Sequence, residues 1–86
     1  MLEFYFADHC PYCVKVREYL EKAGIAYKVR PVVVRDDKNH FGNQLRKRAG
    51  KAQVPYMIDK KHDIEMYESD DIIKHLKKHH KGHQQG

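Results

Sequence analysis

The 86-residue chain has no tryptophan, only two cysteines and only three prolines. Without tryptophan, and with Tyr and Phe gathered mainly in strand-like runs, stacking on nucleic-acid bases has little support. No apolar run approaches the length of a membrane span. The N-terminal stretch carries Glu3 inside a short apolar run, so it does not read as a secretory signal. A reducing cytoplasmic setting is therefore expected, where a disulfide is transient and serves catalysis or sensing. There is no internal repeat and no linker. Hydrophobic residues make up 41% of the chain, enough for one core in one domain near the small end of the range.

Positive charge is in excess, with a formal net charge of +5. Its clusters, Arg46-Lys47-Arg48 and residues 74–81, fall on the C-terminal halves of predicted helices, where cations suit the helix dipole. They read as solvated faces, so neither nucleic acid nor membrane is expected as a partner.

Residues 2–6 read as a first strand. Residues 11–23 read as a helix, with Pro11 at a first position that needs no N–H. Cys13, Val16, Leu20 and Ala23 recur at helical spacing, and Gly24 stops the run. Residues 27–34 read as a second strand, placed at an edge because Pro31 cannot donate to a ladder. Asp36 or Asp37 is the expected cap of a second helix that carries Phe41, Leu45 and Ala49 and ends at Gly50. Gly42 within it reads as a defect of about 1 kcal/mol. Residues 54–58 and 64–67 read as a hairpin around 59–63. Ser69 or Glu68 then caps a last helix with the stripe Ile72, Ile73 and Leu76. The order β-α-β-α-β-β-α predicts an α/β fold: a four-stranded mixed sheet flanked by helices, the first two strands parallel through a right-handed crossover. The domain is expected over residues 1–78. Residues 79–86 read as a His-rich, disordered tail.

The feature that carries chemistry is Cys10-Pro11-Tyr12-Cys13, at the junction of the first strand and helix. Two cysteines three apart there can close a readily exchanged disulfide; a structural disulfide or half a zinc site is the alternative. Cys10 falls at the helix cap, where orphan N–H groups and the positive dipole end favour a thiolate. His9 and Lys15 could add positive potential, and Asp8 opposes it. Cys13, one turn further in, is expected to be more buried. Cys10 is thus the expected nucleophile and Cys13 the resolving thiol. His75 and His79 are four apart on a helix, with His80 and His83 near, a set able to bind zinc, copper or nickel weakly. No metal ligand is assigned, and these histidines read as a solvated terminus.

The element order, the Cys10-Pro11-Tyr12-Cys13 motif, Gln53-Val54-Pro55 before the third strand, and Glu68-Ser69-Asp70-Asp71 together resemble the glutaredoxins of the thioredoxin fold, of the type with Pro and Tyr between the cysteines. The resemblance runs from Leu2 to about Leu76. It departs at Ala7, where many glutaredoxins carry Lys. It departs again at Glu68-Ser69, which looks more like the N-terminal domain of glutathione transferases. The resemblance implies a glutathione-dependent thiol–disulfide oxidoreductase acting on protein–glutathione mixed disulfides and protein disulfides. It implies a cis bond at Pro55 facing the cysteines, with Val54 pairing to glutathione through its backbone. Lys51 would meet the glycyl carboxylate, and Ser69 and Asp70 the γ-glutamyl end, Asp70 or Glu68 taking the amine. Tyr12 would form the rim. Glutathione would serve as reductant with no tightly bound cofactor, and a monomer is expected. Two alternatives stay open: an electron donor to one specific enzyme, reduced by a thioredoxin reductase, and a metal or iron–sulfur carrier, against which Pro11 argues.

Overall fold

Along β1 (Leu2–Ala7) every side chain is buried. Successive strand residues point to opposite faces, so Leu2, Phe4 and Phe6 enter one core and Tyr5 enters another. A strand buried on both faces needs cover on both, and helices supply it. On one side α1 (Pro11–Lys22) and α3 (Ser69–His79) set Cys13, Val16, Leu20, Ile72 and Leu76 against Phe4, Phe6 and Met57. On the other side α2 (His40–Ala49) sets Leu45 against Tyr5, Val32, Tyr56 and Ile58. The computed structural model describes residues 2–8, 10–33 and 38–80.

With β2 (Tyr27–Val32), β3 (Tyr56–Asp59) and β4 (Ile64–Tyr67), the sheet order is β2-β1-β3-β4. β1 runs parallel to β2 and antiparallel to β3, and β3 and β4 form the hairpin. This is the thioredoxin-like α/β arrangement the sequence predicts. Pro31 lies on the edge strand opposite Phe6, where its missing donor costs the sheet least. Glu3, buried on the α2 side, is held by ion pairs with Arg30 and Lys60. Burial alone would raise its carboxyl; the hydrogen bonds from Lys60 and Arg30 keep it below the usual range. Among the described residues no helix is long and apolar enough to cross a membrane.

Some local expectations need correction. β2 ends at Val32; Val34 and the candidate caps Asp36 and Asp37 lie outside the described residues. The cap of α2 is Asn39, whose Oδ1 accepts from the Gly42 N–H at 2.9 Å and from the Val33 N–H at 3.1 Å. Gly42 is more than a weak point of the helix. A Cβ there would sit 3.2 Å from Asn39 Oδ1, a tight approach, and in ordinary contact with Val32 Cγ1 at 3.6 Å, so its bareness leaves room for the cap. Gly50 ends the helix at φ 99°, in the left-handed region, as a C-terminal glycine should. Glu68 occupies the cap position of α3, but its side chain makes no capping hydrogen bond. His79 is the last residue of α3 and His80 is partly buried, so both belong to the folded unit; residues 81–86, His83 included, lie outside the described residues.

Candidate functional site

Pro11 starts α1 and leaves Cys10 as its N-cap, with extended backbone at φ −92° and ψ 111°. The Cys10 carbonyl accepts the first helical bond from Val14 N–H at 3.0 Å, and its Sγ accepts from the Cys13 N–H at 3.4 Å. The sulfur thus takes the place of a capping oxygen at the positive end of α1. Both thiols are free; Cys10 is partly exposed and Cys13 is buried at 1% exposure. Burial pushes the Cys13 thiol up to about 12, against a hydrogen bond with the Ala7 backbone that lowers it. Cys13 therefore keeps its proton at neutral pH, while the accessible sulfur is that of Cys10. His9 lies outside the described residues.

A groove of about 360 Å³ is lined by Tyr12, Gln53, Val54, Pro55, Glu68, Ser69 and Asp70. Tyr12, at 63% exposure, stands on the rim two residues after Cys10. The Val54–Pro55 bond is cis. Ser69 and Asp70 open α3, so the positive end of that helix borders the groove. Gln53 Nε2 donates to Glu68 Oε2 at 3.2 Å and ties the lining together. Glu68 has φ 73°, a region a non-glycine residue enters at a cost of about 1–3 kcal/mol. Such outliers cluster where a ligand is held.

Five expected contacts, Tyr12, Val54, Pro55, Ser69 and Asp70, therefore converge on one groove. Lys51 does not line it. Its ammonium lies 5.1 Å from the centre of the Tyr67 ring, and its carbonyl accepts from the Tyr67 hydroxyl at 2.7 Å. Lys15 reaches across to Asp70 in an exposed ion pair, so its charge is spent there and not on Cys10. Gln53 is the lining residue that sequence reasoning left without a role; its position beside Val54-Pro55 was the available signal.

A second constellation lies at the far end of α3. Asp59 Oδ2 is met by His62 Nδ1 at 2.8 Å, His75 Nε2 at 2.7 Å and His80 Nε2 at 2.7 Å. Burial would raise the Asp59 carboxyl, but the hydrogen bonds with His75, His80 and His62 outweigh it and hold the group well below the usual carboxylate range. Sequence spacing joined His75 to His79. The structure joins it to His62 and His80 instead, through Asp59, a residue the sequence did not single out.

Residues 4–84 match the family model of the glutathione S-transferase N-terminal domain. No curated protein matches the chain. Among solved structures, human glutathione S-transferase T1-1 superposes with a TM-score of 0.76 at 23% identity, over 91% of this chain and 31% of that one. A glutathione S-transferase from the Antarctic clam Laternula elliptica gives 0.75 at 23% identity, over 90% and 34%. Glutaredoxin 2 from Salmonella typhimurium, solved in complex with glutathione, gives 0.71 at 25% identity, over 88% and 32%. The chain spans about a third of the length of each of these proteins. The Glu68-Ser69 pair, where the sequence leaves the glutaredoxin pattern, points the same way as the family model. By that match, the chain belongs to the glutathione S-transferase N-terminal domain family.

Proposed function

We propose that this domain is a glutathione-dependent thiol–disulfide oxidoreductase with Cys10 as nucleophile and Cys13 as resolving thiol. The Cys10 thiolate attacks the glutathione sulfur of a protein–glutathione mixed disulfide. The Cys10–glutathione bond forms, the old S–S bond breaks, and the protein thiolate leaves and takes a proton. A second glutathione thiolate then attacks the bound glutathione sulfur, giving glutathione disulfide and restoring the Cys10 thiolate. With a protein disulfide, Cys13 gives up its proton, closes on Cys10 and expels the reduced target. Glutathione would lie in the groove with its peptide backbone along Val54 and its γ-glutamyl carboxylate at the start of α3, where Ser69 and Asp70 stand. Tyr12 would flank it.

The observation that carries this reading is the contrast between the two thiols at the start of α1, whose residue Tyr12 lines the groove. Cys10 is partly exposed and its Sγ accepts a helix N–H, whereas Cys13 is buried and protonated. Family membership and a glutathione-bound neighbour supply the ligand class. The test is reduction of a glutathione mixed disulfide coupled to glutathione reductase. Cys10→Ser should lose at least about 1,000-fold in turnover, the scale seen when a nucleophile is removed, while Cys13→Ser retains deglutathionylation. The opposite pattern would refute the assignment. The family alone also favours conjugation of glutathione to an electrophile. Robust conjugation that survives Cys10→Ser, with no disulfide exchange in the wild type, would replace the present reading.

A further inference from the structure

The four residues at the far end of α3 make a site of their own. We propose that Asp59, His62, His75 and His80 form a closed, four-ligand site for one divalent transition-metal ion of the zinc class. Their ligand atoms all lie within 4.8 Å of one another. Tetrahedral zinc with bonds of about 2.0–2.1 Å to nitrogen sets ligand atoms about 3.3 Å apart. The set therefore needs only a modest contraction of its widest pair and a small retreat of each imidazole from the carboxylate.

The local chemistry argues for an ion at this point. Three imidazole nitrogens crowd a single oxygen, Asp59 Oδ2, at 2.7–2.8 Å. Among the described residues Oδ1 takes only the His62 backbone N–H, at 3.3 Å. A carboxylate spreads about four lone-pair sites over both oxygens, so a balanced hydrogen-bond network would divide these donors. Convergence on one oxygen is the geometry of a ligand set, and the Oδ1 contact is the outer-shell bond that orients a ligating carboxylate. Three imidazoles and one carboxylate suit zinc, cobalt or nickel better than calcium or magnesium.

The ligands come from pieces distant in sequence: the end of β3, the turn after it, the last turns of α3 and the residue beyond. Asp59 and His75 are buried, and His62 and His80 partly so. Four protein ligands leave no open position for a substrate, which is the mark of a structural ion. Such an ion would pin the end of α3 to the hairpin. At 1.5 Å per residue His75 stands about 9 Å along the helix from Ser69, so the ion would lie toward the finish of α3, away from the groove. His79 supplies an internal control. Its ring lies 4.6 Å from that of His62 and 4.7 Å from that of His75, yet it is outside the four.

The test uses the full chain, stripped by a chelator, then titrated with zinc against a chromophoric competitor and with cobalt for its spectrum. One ion per chain, a tetrahedral cobalt spectrum and a raised thermal midpoint in zinc are expected. Asp59→Asn and His80→Ala should each weaken binding at least about 10–100-fold, the loss already seen for outer-shell partners, whereas His79→Ala should leave it unchanged. Zinc should not slow alkylation of Cys10. Should Asp59→Asn fail to fold, His80→Ala at the helix end decides alone. The proposal is overturned by absence of stoichiometric binding, by full affinity in His80→Ala, by equal loss in His79→Ala (a loose histidine chelate), or by zinc protecting Cys10.

Discussion

The two ends of α3 are built to opposite rules. At its start, Ser69 and Asp70 border an open groove, and Glu68 sits in the left-handed region without capping the helix by its side chain. At its finish, His75 and His80 close on the buried Asp59, and the last turn adds Lys77, Lys78 and His79. The helix dipole suits both arrangements: its positive end is met by Asp70 and Asp71 and would suit the carboxylate proposed to bind there, and its negative end is matched by cations. The groups proposed to meet a ligand are the exposed Glu68 and Asp70, each in an exposed contact, beside the buried Ser69. Groups that hold the fold together are buried and fully paired, and no buried side-chain polar atom among the described residues lacks a partner.

The contrast predicts its largest effect at Asp59. Asp59→Asn, measured in chelator so that metal plays no part, removes the charge that three imidazoles share. Breaking a buried charge network by removing one partner should cost about 2–4 kcal/mol in denaturant unfolding. Turnover per folded molecule at Cys10 should be unchanged. A cost below about 0.5 kcal/mol, the level of an ordinary surface substitution, would mean that the closed end holds nothing.

The next effect belongs to Cys13, beneath the open end. Its thiol is raised to about 12, so folding favours the protonated form. The stability this contributes is fully present below the ordinary thiol value of about 8.5 and fades as pH climbs from there to about 12. The slope should approach, at most, about 1.4 kcal/mol per pH unit. Native-state alkylation at pH 9 should accordingly label Cys10 and spare Cys13. Equal labelling of both in the folded chain would remove the distinction between nucleophile and resolving thiol.

The strands, the helices and the thiol pair were readable because each is encoded locally. A short apolar run marks β1, helical spacing of Cys13, Val16 and Leu20 marks α1, and the cysteines declare themselves by their separation. What escaped depends on contacts between distant segments or on one residue's backbone angle. Three Asx residues precede α2, and only the extended backbone of Asn39 shows which one caps it. Gly42 looked like a flaw because the atom that crowds its Cβ position, Asn39 Oδ1, stands there only when Asn39 caps the helix. Lys51 was expected at the ligand from its place in the chain; it is not among the groove's lining residues, and its ammonium lies over the Tyr67 ring, a contact between elements that spacing does not show. The Asp59 cluster escaped because the helical rule pairs His75 with His79. The chain instead leaves the helix after His79, and at φ −135°, ψ 74° His80 turns its ring back to Asp59. Spacing within one helix could not reveal a partner supplied by that exit.

The smallest expected effect distinguishes an ion pair that spans elements from one that stabilises them. Lys15 and Asp70 join α1 to the start of α3, but their side chains are 54% and 81% exposed. An exposed pair contributes about 0–1 kcal/mol, so Lys15→Ala should shift stability by no more than about 0.5 kcal/mol. Its consequence should appear at the groove instead. Freed of Lys15, Asp70 presents an unneutralised carboxylate beside the place proposed for the γ-glutamyl group. That carboxylate would repel the ligand's acid and attract its amine. Lys15→Ala should therefore alter the KM for glutathione, and its dependence on salt, more than it alters the unfolding midpoint. A variant that unfolds more easily yet keeps the wild-type KM would show that this contact serves the fold, and that the open end of α3 is less open than its exposure suggests.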